Sequence, residues 1–213
     1  MLFRSGEILV YLLAGLALEG CVKRSGLLHG WISGLCASAC PEGQEENFIT
    51  LVRLLAGGGL NVELRSDGRR AGLLRQVLDT GAVRRVILDI VAPARLYPAV
   101  AGSGLDMQDL EQSIALAKGY AEHMIRMLVT AWPGEEGTLT RLAPAEAGEA
   151  AKMVLDACGD RMLPVFIEAQ PVEGLEALED QALLPYRSKI RMSLVKAVCQ
   201  RSEERRVGKE CRS

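Results

Sequence analysis

The sequence predicts an α/β fold built from parallel β/α units, arranged as an open doubly wound sheet or as an incomplete barrel. Three observations carry that prediction. Short runs rich in β-branched residues alternate with stretches of helical period. The strand starts fall near residues 30, 61, 85, 123 and 163. Such spacing leaves room for a strand and a crossover helix, which points to parallel pairing and right-handed connections. Finally, "RVILDI" is apolar almost throughout, as expected of a strand covered on both faces. Five strands are too few to close an eight-stranded barrel.

In order along the chain, strands are expected at Gly30–Ser33, Asn61–Arg65, Arg85–Ile90, His123–Val129 and Leu163–Glu168. Helices are expected at Glu45–Ala56, Ala71–Asp79, Met107–Gly119 and Pro144–Cys158, with a last one near Tyr186–Val198. Local signals support the boundaries. Gly57, Gly58 and Gly59 stop the first helix, Gly81 follows the second, Asp106 suits the cap of the third, and Pro144 suits a first helical turn. The stretch from Trp132 to Pro144 reads as an irregular surface loop joining strand to helix.

With 213 residues, 49% of them hydrophobic, the chain can bury a real core as one compact unit. A formal net charge of −2 with 24% charged residues gives no field that would select nucleic acid or an anionic membrane. Six irregularly spaced cysteines do not form the framework of a short secreted domain, so a reducing, cytoplasmic compartment is expected. Residues 1–5 and 201–213 read as translated adapter DNA joined to an open fragment, which leaves residues 6–200 as a single domain fragment. Trimming those ends removes six basic and three acidic residues and moves the formal charge to −5. The apolar run Ile8–Leu18 is too short to span a bilayer and reads as a core helix.

Polar residues gather where strands end, the usual place for a β/α site. Ser66, Asp67 and Gly68 follow the second strand, Asp89 closes "RVILD", Arg126 lies in "HMIRMLV", and Gln170 follows "LPVFIE". Each also has a structural reading. Asp67 suits a turn or an N-cap, Asp89 an acceptor for loop amides, Arg126 a partner for a buried carboxylate, and Gln170 a loop bridge.

The order of these stretches resembles a family. "GLLHGWISG", "GLNVELRSDG", "DTGAVRRVILDIVAP", "YPAVAGSGLDMQDLEQSI" and "AEHMIRMLV" are similar, stretch by stretch, to the later part of the activating proteins of anaerobic ribonucleoside-triphosphate reductase, in the radical SAM superfamily. The likeness covers about Gly6 to Pro171. It implies an incomplete β/α barrel whose first strand is missing from this chain. It also implies a [4Fe-4S] cluster that cleaves S-adenosylmethionine, and a glycyl radical enzyme as partner; the weak charge already points to no nucleic acid and no membrane. The resemblance assigns cofactor contacts to Ser33 and Gly34, the remnant of a Gly-Gly-Glu-Pro turn, to Ser66 and Asp67, to Asp89, and to Arg126 as a fork for the cofactor's carboxylate. Val91 stands where the family has lysine.

Cys36 and Cys40 are not the cluster loop. The family's motif is C-x3-C-x2-C after the first strand, whereas here Gly43 occupies the third position and the segment follows a later strand. They read as small residues of a loop or helix start, with no metal ligand assigned. The expectation is therefore a fragment of a divergent activating enzyme that is inactive alone. The alternatives are a degenerate β/α scaffold for protein binding, or an unrelated β/α enzyme gripping a phosphate at a helix N-terminus.

Overall fold

The computed structural model describes residues 31–101, 106–134, 138–172, 174–193 and 196–199. The expected helix at Ile8–Leu18 and both chain ends lie outside them. The chain divides into two compact units, residues 1–88 with 108–123, and residues 89–107 with 124–213. Each unit is built on parallel strands. An α/β fold of parallel units is what the sequence predicts.

In the first unit, β1 (Trp31–Cys36) pairs with β2 (Asn61–Ser66), which pairs with β3 (Val83–Ile90). The helices α1 (Glu45–Gly57) and α2 (Ala71–Asp79) make the crossovers. Both begin or end close to the predicted positions, because their apolar residues recur at helical spacing: Phe48, Leu51, Val52 and Leu55 on α1, and Leu73, Leu74, Val77 and Leu78 on α2 are buried. On β2 the alternation is strict, with Val62, Leu64 and Ser66 fully buried between half-exposed neighbours. The opposite face of this sheet carries Cys36, Glu63, Arg65 and Arg85, aligned by the strand register.

The strand β1 corrects the sequence reading, which ended it at Ser33. Ile32 pairs with Val62 and Leu35 with Leu64, so Ser33 and Gly34 together oppose the single residue Glu63. Gly34 has φ +104°. A glycine there admits the extra residue of a bulge, after which the strand continues to Cys36. What looks like a strand breaker in sequence is a bulge within the strand.

The helix α4 (Met107–Gly119) lies mostly in the first unit and buries Leu110, Ser113, Ile114 and Ala117. Ser113 donates its hydroxyl to the carbonyl of Gly68 at 3.2 Å. Gly68 itself has φ +89°, and a Cβ there would collide with the Leu110 side chain.

The second unit contains β4 (His123–Val129) from residue 124 onward, paired in parallel with β7 (Pro164–Ala169), which pairs with β8 (Lys196–Cys199). Its helices are the short α3 (Tyr97–Ala101), α5 (Pro144–Cys158) and α6 (Leu184–Met192). Pro144 occupies the first turn of α5 as expected, and the Glu146 carboxylate accepts the Ala143 N–H at 2.8 Å. Ala143 has no side-chain oxygen to return the bond, so the cap is one-sided. Tyr186 of α6 donates its hydroxyl to the Leu142 carbonyl at 2.6 Å, tying α6 to the start of α5.

Two further expectations are corrected here. The last predicted helix, Tyr186–Val198, is instead α6 ending at Met192 followed by the strand β8. The predicted irregular loop from Trp132 contains a small antiparallel pair, β5 (Ala131–Pro133) with β6 (Leu139–Arg141). Trp132 is buried in that pair, which gives an apolar reason for the turn to fold back.

The two glycines separate backbone strain from crowding. Gly34→Ala meets open space and should cost about 1 kcal/mol, the strain of its φ alone. Gly68→Ala adds a clash with Leu110 and should cost about 3 kcal/mol. Urea unfolding of both variants checks the difference.

Candidate functional site

In the first unit the strand-end residues form a hydroxyl and carboxylate knot. The single turn Ala37–Ala39 after β1 presents Ser38, whose Oγ accepts the Asp67 N–H at 2.9 Å and lies 3.3 Å from Ser66 Oγ. Ser66 Oγ in turn accepts the Gly68 N–H at 3.1 Å. Asp67 accepts the Arg69 backbone N–H at 3.2 Å and pairs with the Arg69 guanidinium, Nε to Oδ2 at 2.8 Å. Apart from the Ser38–Ser66 contact, these bonds go to backbone or to a neighbour two residues away. Ser66 belongs to the fully buried face of β2, and Asp67 takes the turn role that was open to it. The side chain of Ser33 lies outside the described residues, and Gly34 is the bulge residue of β1.

Cys36 and Cys40 bracket the same turn. The Cys40 N–H donates to the Ala37 carbonyl at 3.2 Å, and its own carbonyl accepts from Arg70, which also pairs with Glu45 at the start of α1. Burial pushes the Cys36 thiol above its ordinary range, and the Asp67 carboxylate pushes it further. Burial likewise raises Cys40.

In the second unit three strands contribute to one charged cluster. Arg126 of β4 directs Nε to Asp89 Oδ1 at 2.7 Å and Nη2 to Asp89 Oδ2 at 3.0 Å, a two-pronged pair. Its Nη1 donates to Glu168 Oε2 at 2.8 Å. Asp89 is 6% and Arg126 8% exposed, while the Glu168 side chain is 17% exposed and forms the wetter edge. The β4–β7 register explains the meeting. Arg126 sits opposite Phe166 and Leu128 opposite Glu168, so Arg126 and Glu168 share a face. The other face, Ile125, Met127, Val165 and Ile167, is fully buried.

Of the residues singled out from sequence, the fold joins Asp89 to Arg126 in the second unit and gathers Ser66 and Asp67 in the first. Gln170 donates its backbone N–H to the Val129 carbonyl at 3.0 Å, a loop bridge. Glu168 and Ser38 are the residues that sequence reasoning missed. Glu168 is the one carboxylate of "LPVFIE" and has the parity of Phe166, a signal present in the sequence. Ser38 lies inside the Cys36–Cys40 segment, where the cysteines drew attention away from it.

The residues described do not fit an iron–sulfur cluster. Cys36, Cys40 and Cys158 are free thiols, and among the described residues no group of three or more His, Cys, Asp or Glu side chains is placed to hold a metal ion. The fit to a methionine carboxylate is also altered. Arg126 directs three of its five N–H groups to Asp89 and Glu168, and Val91 supplies no charge. What the second cluster can do is clasp three strands.

Removing the guanidinium would leave two nearly buried carboxylates facing each other. Arg126→Ala should therefore cost about 3–5 kcal/mol in chemical denaturation, and Arg126→Lys less, because an ammonium keeps the charge but loses the fork. In the first unit, Asp67→Asn keeps an acceptor for Arg69 and removes the charge beside Cys36. The Cys36 thiol should fall toward its ordinary range and alkylate faster with iodoacetamide, read peptide by peptide by mass spectrometry.

No protein-family model matches the chain, and no curated protein matches it. Among solved structures, it is similar to a domain of pyruvate-formate lyase-activating enzyme from Bacteroides vulgatus. The two share 9% identity with a TM-score of 0.47 over 78% of this chain and 98% of that one. A likeness at that level is a likeness of outline, and the roles of residues are argued here from their own contacts.

Proposed function

We propose that this chain is the β/α body of a divergent radical SAM activating enzyme, one that serves a glycyl radical enzyme, and that it does not cleave S-adenosylmethionine by itself. The observation that carries the reading is the Asp89–Arg126 pair. The family resemblance assigns these two residues, 37 positions apart, to one cofactor rim, and in the fold they touch through a bidentate pair. The inactivity rests on the thiols. Cys36 and Cys40 bracket a structural turn and Gly43 stands where the third cysteine would, so a cluster would have to be held by a C-x3-C-x2-C segment beyond residues 31–199. When bound, such a cluster supplies the electron that breaks the sulfonium bond. The residues of this chain bind and orient the adenosyl group.

A second reading is favoured by a specific observation. With Val91 in place of lysine and Arg126 paired to two carboxylates of its own chain, the rim suits a scaffold that has given up the cofactor and kept the β/α body for protein binding.

The discriminating experiment is anaerobic reconstitution with iron and sulfide, followed by dithionite and S-adenosylmethionine, and a count of 5′-deoxyadenosine. The present chain should form none, and a longer native reading frame carrying C-x3-C-x2-C should form it. Product from the present chain alone would end the claim of inactivity. A longer frame without the three cysteines, and without affinity for S-adenosylmethionine, would leave the scaffold.

A further inference from the structure

We propose that the outward face of α6, together with the acidic segment just before it, is a docking surface for a second copy of this chain in a weak two-fold dimer. The helix buries one side only. Leu183, Tyr186 and Ile190 are buried, and the Tyr186 hydroxyl fixes that side against the start of α5. On the other side Leu184, Arg187, Ser188, Arg191 and Met192 recur at helical spacing, and all are exposed. The stripe is apolar at both ends, where Leu184 is 55% and Met192 70% exposed, with the two arginines between. A face that is merely solvated carries charges of both signs. This one carries cations framed by exposed apolar side chains.

Charge complementarity names the occupant. From Leu184 to Met192 the chain has Arg187, Lys189 and Arg191 and no acid. From Gly174 to Leu183 it has Glu176, Glu179 and Asp180 and no cation, and these acids are exposed as well. Among the described residues no ion pair joins the acids to the cations within one chain. The surface is therefore complementary to itself when one copy is reversed against the other. Two such segments laid antiparallel across a two-fold axis near Leu184 set the acids of each copy against the arginines of its partner. The helix dipoles then oppose one another favourably, and Leu184 meets its own counterpart out of water. A polyanion is the poorer occupant. The chain's formal charge of −2 gives no field to hold one, and no exposed aromatic ring stands on α6, because Tyr186 is buried. A nine-residue helix is about 13 Å long, so the contact is small, and the dimer forms at high protein concentration and dissolves in salt.

Sedimentation velocity on the full chain tests this, over rising protein concentration in low salt and again at about 0.5 M salt, where charges are screened beyond a few ångströms. The wild type should shift from monomer to dimer in low salt and remain monomeric in high salt. Two charge-reversed variants, Arg187→Glu with Arg191→Glu and Glu179→Arg with Asp180→Arg, should each stay monomeric, because each sets like charges together. Their equimolar mixture should recover the dimer, since every reversed contact is then matched. Circular dichroism of each variant, unchanged from the wild type, establishes that the substitutions act at the surface. A wild type that is monomeric throughout overturns the proposal, as does a dimer that survives either reversal or a mixture that fails to recover it. So does a monomeric wild type that binds vesicles containing phosphatidylserine, which would make the stripe a membrane contact.

Discussion

A parallel strand under a helix has one face where charge is not tolerated, and that constraint decides where the polar side chains of the described strands β2, β4 and β7 sit. On β4 and β7 the sealed face is Ile125, Met127, Val165 and Ile167, all without exposure. The side chains between them have only the other face to occupy. Arg126 and Glu168 are there because of parity, before any chemistry is asked of them. On β2 the same rule works in reverse. Ser66 falls on the buried side with Val62 and Leu64, and its hydroxyl is spent on the Gly68 amide and on Ser38. A polar residue at a strand's end is a ligand group only if its parity turns it to the wet face.

The charged cluster also shows how much a single arginine can organise. One guanidinium meets carboxylates from two other strands, each bond within ordinary hydrogen-bond length. Burying three charges is costly in itself, and the fork geometry offsets that cost by satisfying each nitrogen at once. What such a cluster contributes most clearly is uniqueness. A register slip of one residue along β7 would turn Glu168 to the sealed face and strand Arg126 beside a lone aspartate.

Much of the architecture was legible because it rests on periodicity. The helices α2, α4 and α5 and the strand β4 fall where their apolar spacing places them. Arg126 was legible as the partner of a buried carboxylate, but nothing in the sequence named Asp89 as that carboxylate. The failures are local and have separate causes. Gly34 looked like an ending because a glycine signals left-handed backbone without saying whether the strand resumes beyond it. The strand β8 has four residues behind a helical pattern, too few to show alternation. Trp132 anchors a pair of three-residue strands that composition alone reads as loop. Ser38 was hidden for a different reason, because its two partners lie 28 and 29 positions away and nothing local announces them.

That last contact ties two loops together through one oxygen atom. The turn after β1 and the turn after β2 share the Ser38 hydroxyl, so neither can change length without releasing the other. Loops at the mouths of β/α units are ordinarily the parts free to vary, each on its own strand. Here the two are coupled, and lengthening either turn should loosen the other.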